Sequence, residues 1–173
     1  MTSTPKALAA IDVFDLVRTK GVVEGHLAFD AAHRLRVSLR DGDGSIGYQL
    51  QGLVDRLGRP AVRLALHGAL PLACDRCAQQ MLLPVEHTAE FFLVNEESEL
   101  AALPVLADDE AEPLLGSARF DVAALVEDET ILCIPVSPRH DVCPVPADAD
   151  GAEPARRHNP FTALPSLLRN KRS

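Results

Sequence analysis

Two cysteines, Cys74 and Cys77, stand two residues apart in the sequence. Thiolates at this spacing can share one zinc ion where the chain turns between two strands, and a closed structural zinc site takes four protein ligands. His140 and Cys143 repeat the spacing, with 62 residues between Cys77 and His140. Three thiolates and one imidazole form a chemically sensible tetrahedral set, so the sequence predicts a candidate zinc site of Cys74, Cys77, His140 and Cys143.

Two other interpretations of these residues stay open. In one, Cys74 and Cys77 only close a turn, and His140 and Cys143 belong to a mobile tail. In the other, Cys74 and Cys77 form a redox pair. The redox interpretation is the weaker one, because a thioredoxin-like pair opens a helix and strand-like sequence flanks this pair on both sides.

Other reactive side chains have simpler explanations. Cys133 lies in the apolar run 131–134, where we expect a small buried hydrophobic residue and no ligand. Glu127, Asp128 and Glu129 are consecutive, so on a helix they point in different directions and we interpret them as a solvated face, although the apolar run that follows also suggests a specific polar contact. Four scattered histidines are expected to be surface or satisfied residues: His26, His33, His67 and His87.

The elements around the cysteine pair are predicted to be strands. Apolar residues alternate with period two through five segments, residues 23–29, 35–39, 46–54, 62–72 and 83–93. Glycine-containing breaks at 41–44 and 57–60 predict turns. Asp121 stands where a helix N-cap would, and a helix is predicted from Val122. We therefore predict an α+β fold, a twisted antiparallel sheet or open β-barrel with one packed amphipathic helix, in which Cys74 and Cys77 lie at a hairpin tip.

The chain has 173 residues and a formal charge of −8 that is unevenly distributed along it. We expect a flexible N-terminus over 1–10, a single domain over 11–146 and a basic C-terminal tail over 147–173. Residues 95–117 are acidic and lose the alternation, so we expect a mobile insertion there. No signal peptide or membrane span is evident, which predicts a cytoplasmic protein. The negative charge argues against tight non-specific binding to nucleic acid.

Three motifs in order resemble the YceD family of bacterial large ribosomal RNA accumulation proteins. They are residues 72–77, residues 126–143, and the Asn-Pro-Phe element with the leucines that follow it, and the resemblance extends from about residue 12 to 168. The sequence departs from the family pattern at Cys133 and Pro165. The resemblance implies metal binding and places the family's functional positions on a set of residues here: Cys74, Cys77, Glu127, Glu129, His140, Cys143, Asn159, Pro160 and Phe161.

The resemblance implies a function in the synthesis, processing or stability of 23S rRNA. We predict a non-catalytic ribosome-biogenesis factor that binds a large-subunit ribosomal protein or precursor 23S rRNA, with no small-molecule substrate and no membrane contact. Partner contacts are expected at Glu127, Glu129 and the Asn-Pro-Phe element, Asn159 to Phe161. The alternatives are a metal-dependent or thiol-redox protein that uses Cys74 and Cys77, and a structural adaptor without metal.

Overall fold

The computed structural model describes residues 10–103 and 111–144. In chain order its elements are α1 (Val13–Arg18), β1 (Val22–Ala28), a 3₁₀ helix (Leu35–Ser38), β2 (Ser45–Val54), β3 (Pro60–Ala73), β4 (Gln80–Val94), α2 (Glu97–Ala102), β5 (Glu112–Leu115) and α3 (Val122–Leu132). The chain divides into two compact units, 1–141 and 142–173. All of these elements lie in the first unit. None of the helices in the described ranges is long and apolar enough to cross a membrane.

The five strands form one sheet in the order β1-β2-β3-β4-β5. Strands β1 to β4 are an antiparallel meander, as the alternation predicted, whereas β5 pairs with β4 in parallel. The sheet is mixed and does not close into a barrel. The α+β prediction is therefore confirmed, and an open sheet replaces the barrel alternative.

The main core lies on one face of this sheet, and a smaller cluster of Ala61, Phe92 and Val94 is buried on the other face. Alternate strand positions such as Leu50 and Leu64 are fully buried, because successive side chains of a strand point to opposite faces. Helices α1 and α3 contribute to the same core through Val13 and Val126. At Gly52 the backbone of α1 approaches β2 so closely that a Cβ would stand 2.3 Å from the carbonyl oxygen of Leu16. The glycine is thus required for α1 to pack here.

Helix α3 begins where the sequence predicted. Asp121 is its N-cap, and the Asp121 carboxylate accepts a hydrogen bond of 3.0 Å from the backbone N–H of Ala124. Val122 and Leu125 are buried as the spacing required, but Leu132 is 73% exposed, since the helix ends at this residue. The sequence predicted one helix, but α1 and α2 are also present.

The predicted strand at 35–39 is wrong. Residues Leu35–Ser38 form a 3₁₀ helix in which Leu35 is fully buried and Val37 is 87% exposed. The connection from β1 to β2 runs through this helix, so the glycines at 41–44 do not form a tight hairpin, although Gly44 has the expected positive φ of 119°. Three alternating residues are too few to distinguish a strand from a 3₁₀ turn.

Residues 95–117, which we expected to be a mobile insertion, include regular structure. They contain α2 and β5, and β5 extends the sheet beside β4 over the pairs from Phe91 with Glu112 to Val94 with Leu115. A four-residue strand is too short to produce a clear period of two. The mobility of this segment remains a prediction. The basic tail, with Asn159, Pro160 and Phe161, lies outside the described residues.

Candidate metal centre

The hairpin between β3 and β4 presents the first two candidate ligands. Its last strand pair is Ala73 with Gln80, and two backbone hydrogen bonds close the turn: Cys74 N–H donates to the Gln79 carbonyl at 2.9 Å, and Ala78 N–H donates to the Cys74 carbonyl at 2.8 Å. Ala78 takes a positive φ of 58°, which reverses the chain. The predicted hairpin-tip position of Cys74 and Cys77 is therefore correct.

The segment that carries His140 is fastened to this tip by bonds that need no metal. The Asp75 N–H donates to the carbonyl of Pro138 at 2.9 Å, and the hydroxyl of Ser137 donates to the Asp75 carboxylate at 2.7 Å. These two contacts join residues far apart in the sequence. They hold the imidazole of His140 at the cysteine pair.

The hydrogen bonds of His140 decide which ring nitrogen can bind a metal. Its Nε2 lies 3.2 Å from the carbonyl oxygen of Gln80, and its Nδ1 lies 3.5 Å from Cys77 Sγ. A carbonyl only accepts, so Nε2 carries the proton and the lone pair of the neutral ring is on Nδ1. This is the arrangement of metal-binding histidines, whose second nitrogen donates to a backbone carbonyl or carboxylate.

The ligand atoms of Cys74, Cys77 and His140, all in the first unit, lie within 4.8 Å of one another. Cys143 belongs to the second unit and is the candidate fourth ligand because of its spacing from His140 in the sequence. Bond lengths of about 2.0 to 2.3 Å in a tetrahedral zinc site place ligand atoms roughly 3.3 to 3.8 Å apart. A contraction on the order of 1 Å would thus bring the set to coordinating distances. The donor types and the spacing both fit zinc.

The surroundings of Cys74 favour the thiolate form of its side chain. Burial raises its pKa, but hydrogen bonds from the backbone amides of His140, Cys77 and Arg76, together with the side chain of His140, outweigh burial and lower the pKa to about 5. The thiolate is the form of cysteine that binds metals. Cys74 is also only 1% exposed, so its sulfur is poorly accessible to an external disulfide or oxidant.

A second polar cluster connects α3 to the 3₁₀ helix. Glu127 is 9% exposed, and its Oε1 accepts from the backbone N–H groups of Arg34 at 2.6 Å and Leu35 at 3.0 Å. Its Oε2 accepts from the Arg34 guanidinium at 3.0 Å, while Asp128 binds the same guanidinium. Burial raises the pKa of Glu127, and these hydrogen bonds outweigh burial and hold the pKa below its ordinary value.

A family model described as "Large ribosomal RNA subunit accumulation protein YceD" matches residues 62–168 of the chain. The chain belongs to the YceD family. The match includes β3, β4, α3 and all four candidate metal ligands, and it begins later than the sequence resemblance, which started near residue 12. No solved structure matches the chain.

In this YceD family member, Asp128 is exposed as the spacing of the acidic residues on α3 suggested, but Glu127 and Glu129 are buried. Glu129 is 7% exposed, and its Oε2 lies 3.2 Å from His87 Nε2 on β4. The carboxylates of Glu127 and Glu129 are thus both bonded within the chain, which corrects the solvated interpretation for these two residues. Whether they also contact a partner remains a prediction.

Cys133 stays outside the metal cluster, as predicted. It is partly buried against the core, and its thiol donates to the backbone carbonyl of Glu129 at 3.2 Å. Burial, and after it the charge of Glu129, raise the pKa of Cys133. Cys133 and Cys74 are therefore opposite in character, because the pKa of Cys133 is raised and the pKa of Cys74 is lowered.

Proposed function

We propose that this protein is a non-catalytic factor that supports accumulation of large-subunit 23S rRNA in the bacterial cytoplasm. The observation that carries the proposal is the YceD family match over residues 62–168. The family description names the accumulation of large-subunit RNA and no reaction. A binding role accounts for that description without a turnover step.

In this proposal Cys74, Cys77, His140 and Cys143 hold one zinc ion that has a structural role. Four protein ligands complete a tetrahedral zinc site, whereas a catalytic zinc keeps one position for water or substrate. The zinc would join the hairpin tip to residues 138–143, reinforcing the bond between Asp75 and Pro138. Cys143 follows His140 by three residues, so the chain holds it within about 11 Å of the histidine.

The partner we propose is a large-subunit ribosomal protein or precursor 23S rRNA. The formal charge of −8 favours a basic protein as the direct contact, since the affinity of proteins for phosphates comes from Lys and Arg. A protein that carries a basic ribosomal protein to the assembling subunit would affect the RNA without gripping it tightly. Copurification before and after ribonuclease treatment separates the two partners.

The thiol-redox alternative uses the same two cysteines. The lowered pKa of Cys74 suits a reactive thiolate as well as a ligand, but the residue is buried and follows a strand directly. Redox cysteines are partially exposed and commonly open a helix. Fast alkylation of Cys74 in zinc-loaded protein at neutral pH would favour the redox function over the structural one.

The proposal is tested by replacing the gene in its own host with Cys77→Ser, and with Cys133→Ser as a matched control. Loss of the gene should lower the ratio of 23S to 16S rRNA, and Cys133→Ser should restore it while Cys77→Ser does so only in part. The purified parent and the Cys133→Ser variant should contain about one zinc per chain, and Cys77→Ser and Cys143→Ser should lose it. An unchanged 23S to 16S ratio in cells without the gene would refute the function. Absence of zinc in the parent would refute the metal.

A further inference from the structure

Two histidines lie beside each other on the face of the sheet opposite the main core. His26 on β1 and His67 on β3 are both register partners of Gly47, which lies between them on β2. Both side chains are exposed. Their ring centres are 6.2 Å apart, and the ring planes meet at 79°.

Gly47 allows this approach. Strands two places apart in a sheet are separated by roughly 9.5 Å, so the imidazoles meet only if they lean over the central strand. A Cβ at Gly47 would stand 2.2 Å from His67 Nε2 and 2.5 Å from its Cε1. Any other residue at this position would displace the His67 ring. The Nε2 edge of the His67 ring therefore lies over the middle strand, against Gly47.

We propose that His26 and His67 form a second metal site that takes one divalent transition ion over Gly47. Imidazole nitrogen binds Zn²⁺ at about 2.0 to 2.1 Å, which puts each ring centre about 3.2 Å from the ion. Two coordinated rings are then roughly 4.5 Å apart in adjacent positions, about 5.2 Å apart at the tetrahedral angle and about 6.4 Å apart on opposite sides of the ion. The 6.2 Å between the ring centres of His26 and His67 is close to the separation of two ligands on opposite sides of an ion, an arrangement found in square-planar and octahedral sites. Imidazole suits Zn²⁺, Ni²⁺ and Cu²⁺.

The surroundings favour a cation with open coordination. The two rings line a surface cavity of about 550 Å³ that the carboxylate-bearing Glu24 and the amide-bearing Gln49 also line. Glu86 is the register partner of His67 on the other side. Two protein ligands leave further positions for water or for a donor of a bound molecule. The site is thus unlike the four-ligand cysteine site, in which thiolates dominate.

The test uses full-length, zinc-loaded protein and Ni²⁺ followed by titration calorimetry. We expect about one Ni²⁺ to bind per chain, and His26→Ala and His67→Ala each to weaken binding by at least about tenfold, because each removes one of two ligands. His33→Ala, which removes another exposed histidine, should leave Ni²⁺ binding unchanged. Absorption from nickel–thiolate bonds reports any ion that enters the cysteine site, so failure of the zinc proposal is distinguishable.

Gly47→Ala supplies an independent test because it keeps both imidazoles and displaces only the His67 ring. It should weaken Ni²⁺ binding in protein whose circular dichroism and unfolding midpoint show it to be folded. If Gly47→Ala does not fold, the two histidine variants decide the matter alone, since both side chains are on the surface. Ni²⁺ affinity that is unchanged in the double variant of His26 and His67 overturns the proposal.

Discussion

Replacing Glu127 should separate the two kinds of bond that its carboxylate makes. Oε1 serves the backbone N–H groups of Arg34 and Leu35, and Oε2 serves the Arg34 guanidinium. Glu127→Ala removes both oxygens and leaves the N–H of Leu35, a fully buried residue, without its acceptor. Hydrogen bonds to charged groups contribute about 1.5 to 3 kcal/mol each and are not additive. We expect Glu127→Ala to lower the free energy of unfolding by about 3 kcal/mol.

Glu127→Gln should lower the free energy of unfolding by less than Glu127→Ala. The glutamine oxygen can still accept from both backbone N–H groups, while its NH₂ group replaces Oε2 and faces the donors of the guanidinium. Arg34→Ala should cost least, because the Arg34 side chain is 54% exposed and water screens its ion pairs. The expected order of destabilisation is therefore Glu127→Ala, then Glu127→Gln, then Arg34→Ala.

Urea unfolding measures this series. With a slope near 2 kcal/mol per molar, a loss of about 3 kcal/mol lowers the midpoint by roughly 1.5 M. Equal midpoints for Glu127→Ala and Glu127→Gln would show that the backbone N–H bonds contribute nothing. A loss for Arg34→Ala as large as that for Glu127→Ala would show that the ion pair, and not the bonds to the backbone, holds the 3₁₀ helix to α3.

Three further predictions use the same unfolding assay. Because the pKa of Glu127 is lowered in the fold, its contribution is complete above the ordinary glutamate pKa of about 4.3 and is lost as the pH falls through the lowered value, so Glu127→Gln should flatten the acid limb of the stability curve. Gly52→Ala should destabilise by about 2 kcal/mol or more, since its Cβ would collide with the backbone of Leu16, whereas Gly42→Ala, which meets no atom closer than 3.5 Å, should be nearly neutral. Asp121→Ala should cost about 1 kcal/mol through the lost N-cap, and an unchanged midpoint would contradict the capping role.

The parts that sequence reasoning predicted correctly are those where one chemical rule dominates. Strict alternation over seven or more residues predicts β1, β2, β3 and β4, because the main core lies on one face of the sheet. The spacing of cysteine and histidine predicted that His140 lies beside the pair Cys74 and Cys77, because these residue types are the common ligands of zinc. The N-cap at Asp121 was predicted because an aspartate side chain can accept hydrogen bonds from the first backbone N–H groups of a helix.

The parts that it missed depend on contacts between distant residues. The 3₁₀ helix forms where Glu127 accepts from two N–H groups more than 90 residues earlier in the chain, and no local pattern contains that acceptor. The four residues of β5 owe their pairing to the edge of β4, which only the tertiary structure supplies. Burial of Glu129 likewise depends on His87 of another element.

The distance along the chain between Cys77 and His140 has a consequence for biosynthesis. Cys77 leaves the ribosome 63 residues before His140, the histidine that lies beside it in the fold. At about 5 to 20 residues per second, that interval lasts roughly 3 to 13 seconds. During this interval β4, β5 and α3 are synthesised. Cys74 and Cys77 then have no His140 imidazole beside them, and the hydrogen bond between Asp75 and Pro138 has not formed. His140 and Pro138 can therefore contact the hairpin tip only after all five strands of the sheet have been synthesised.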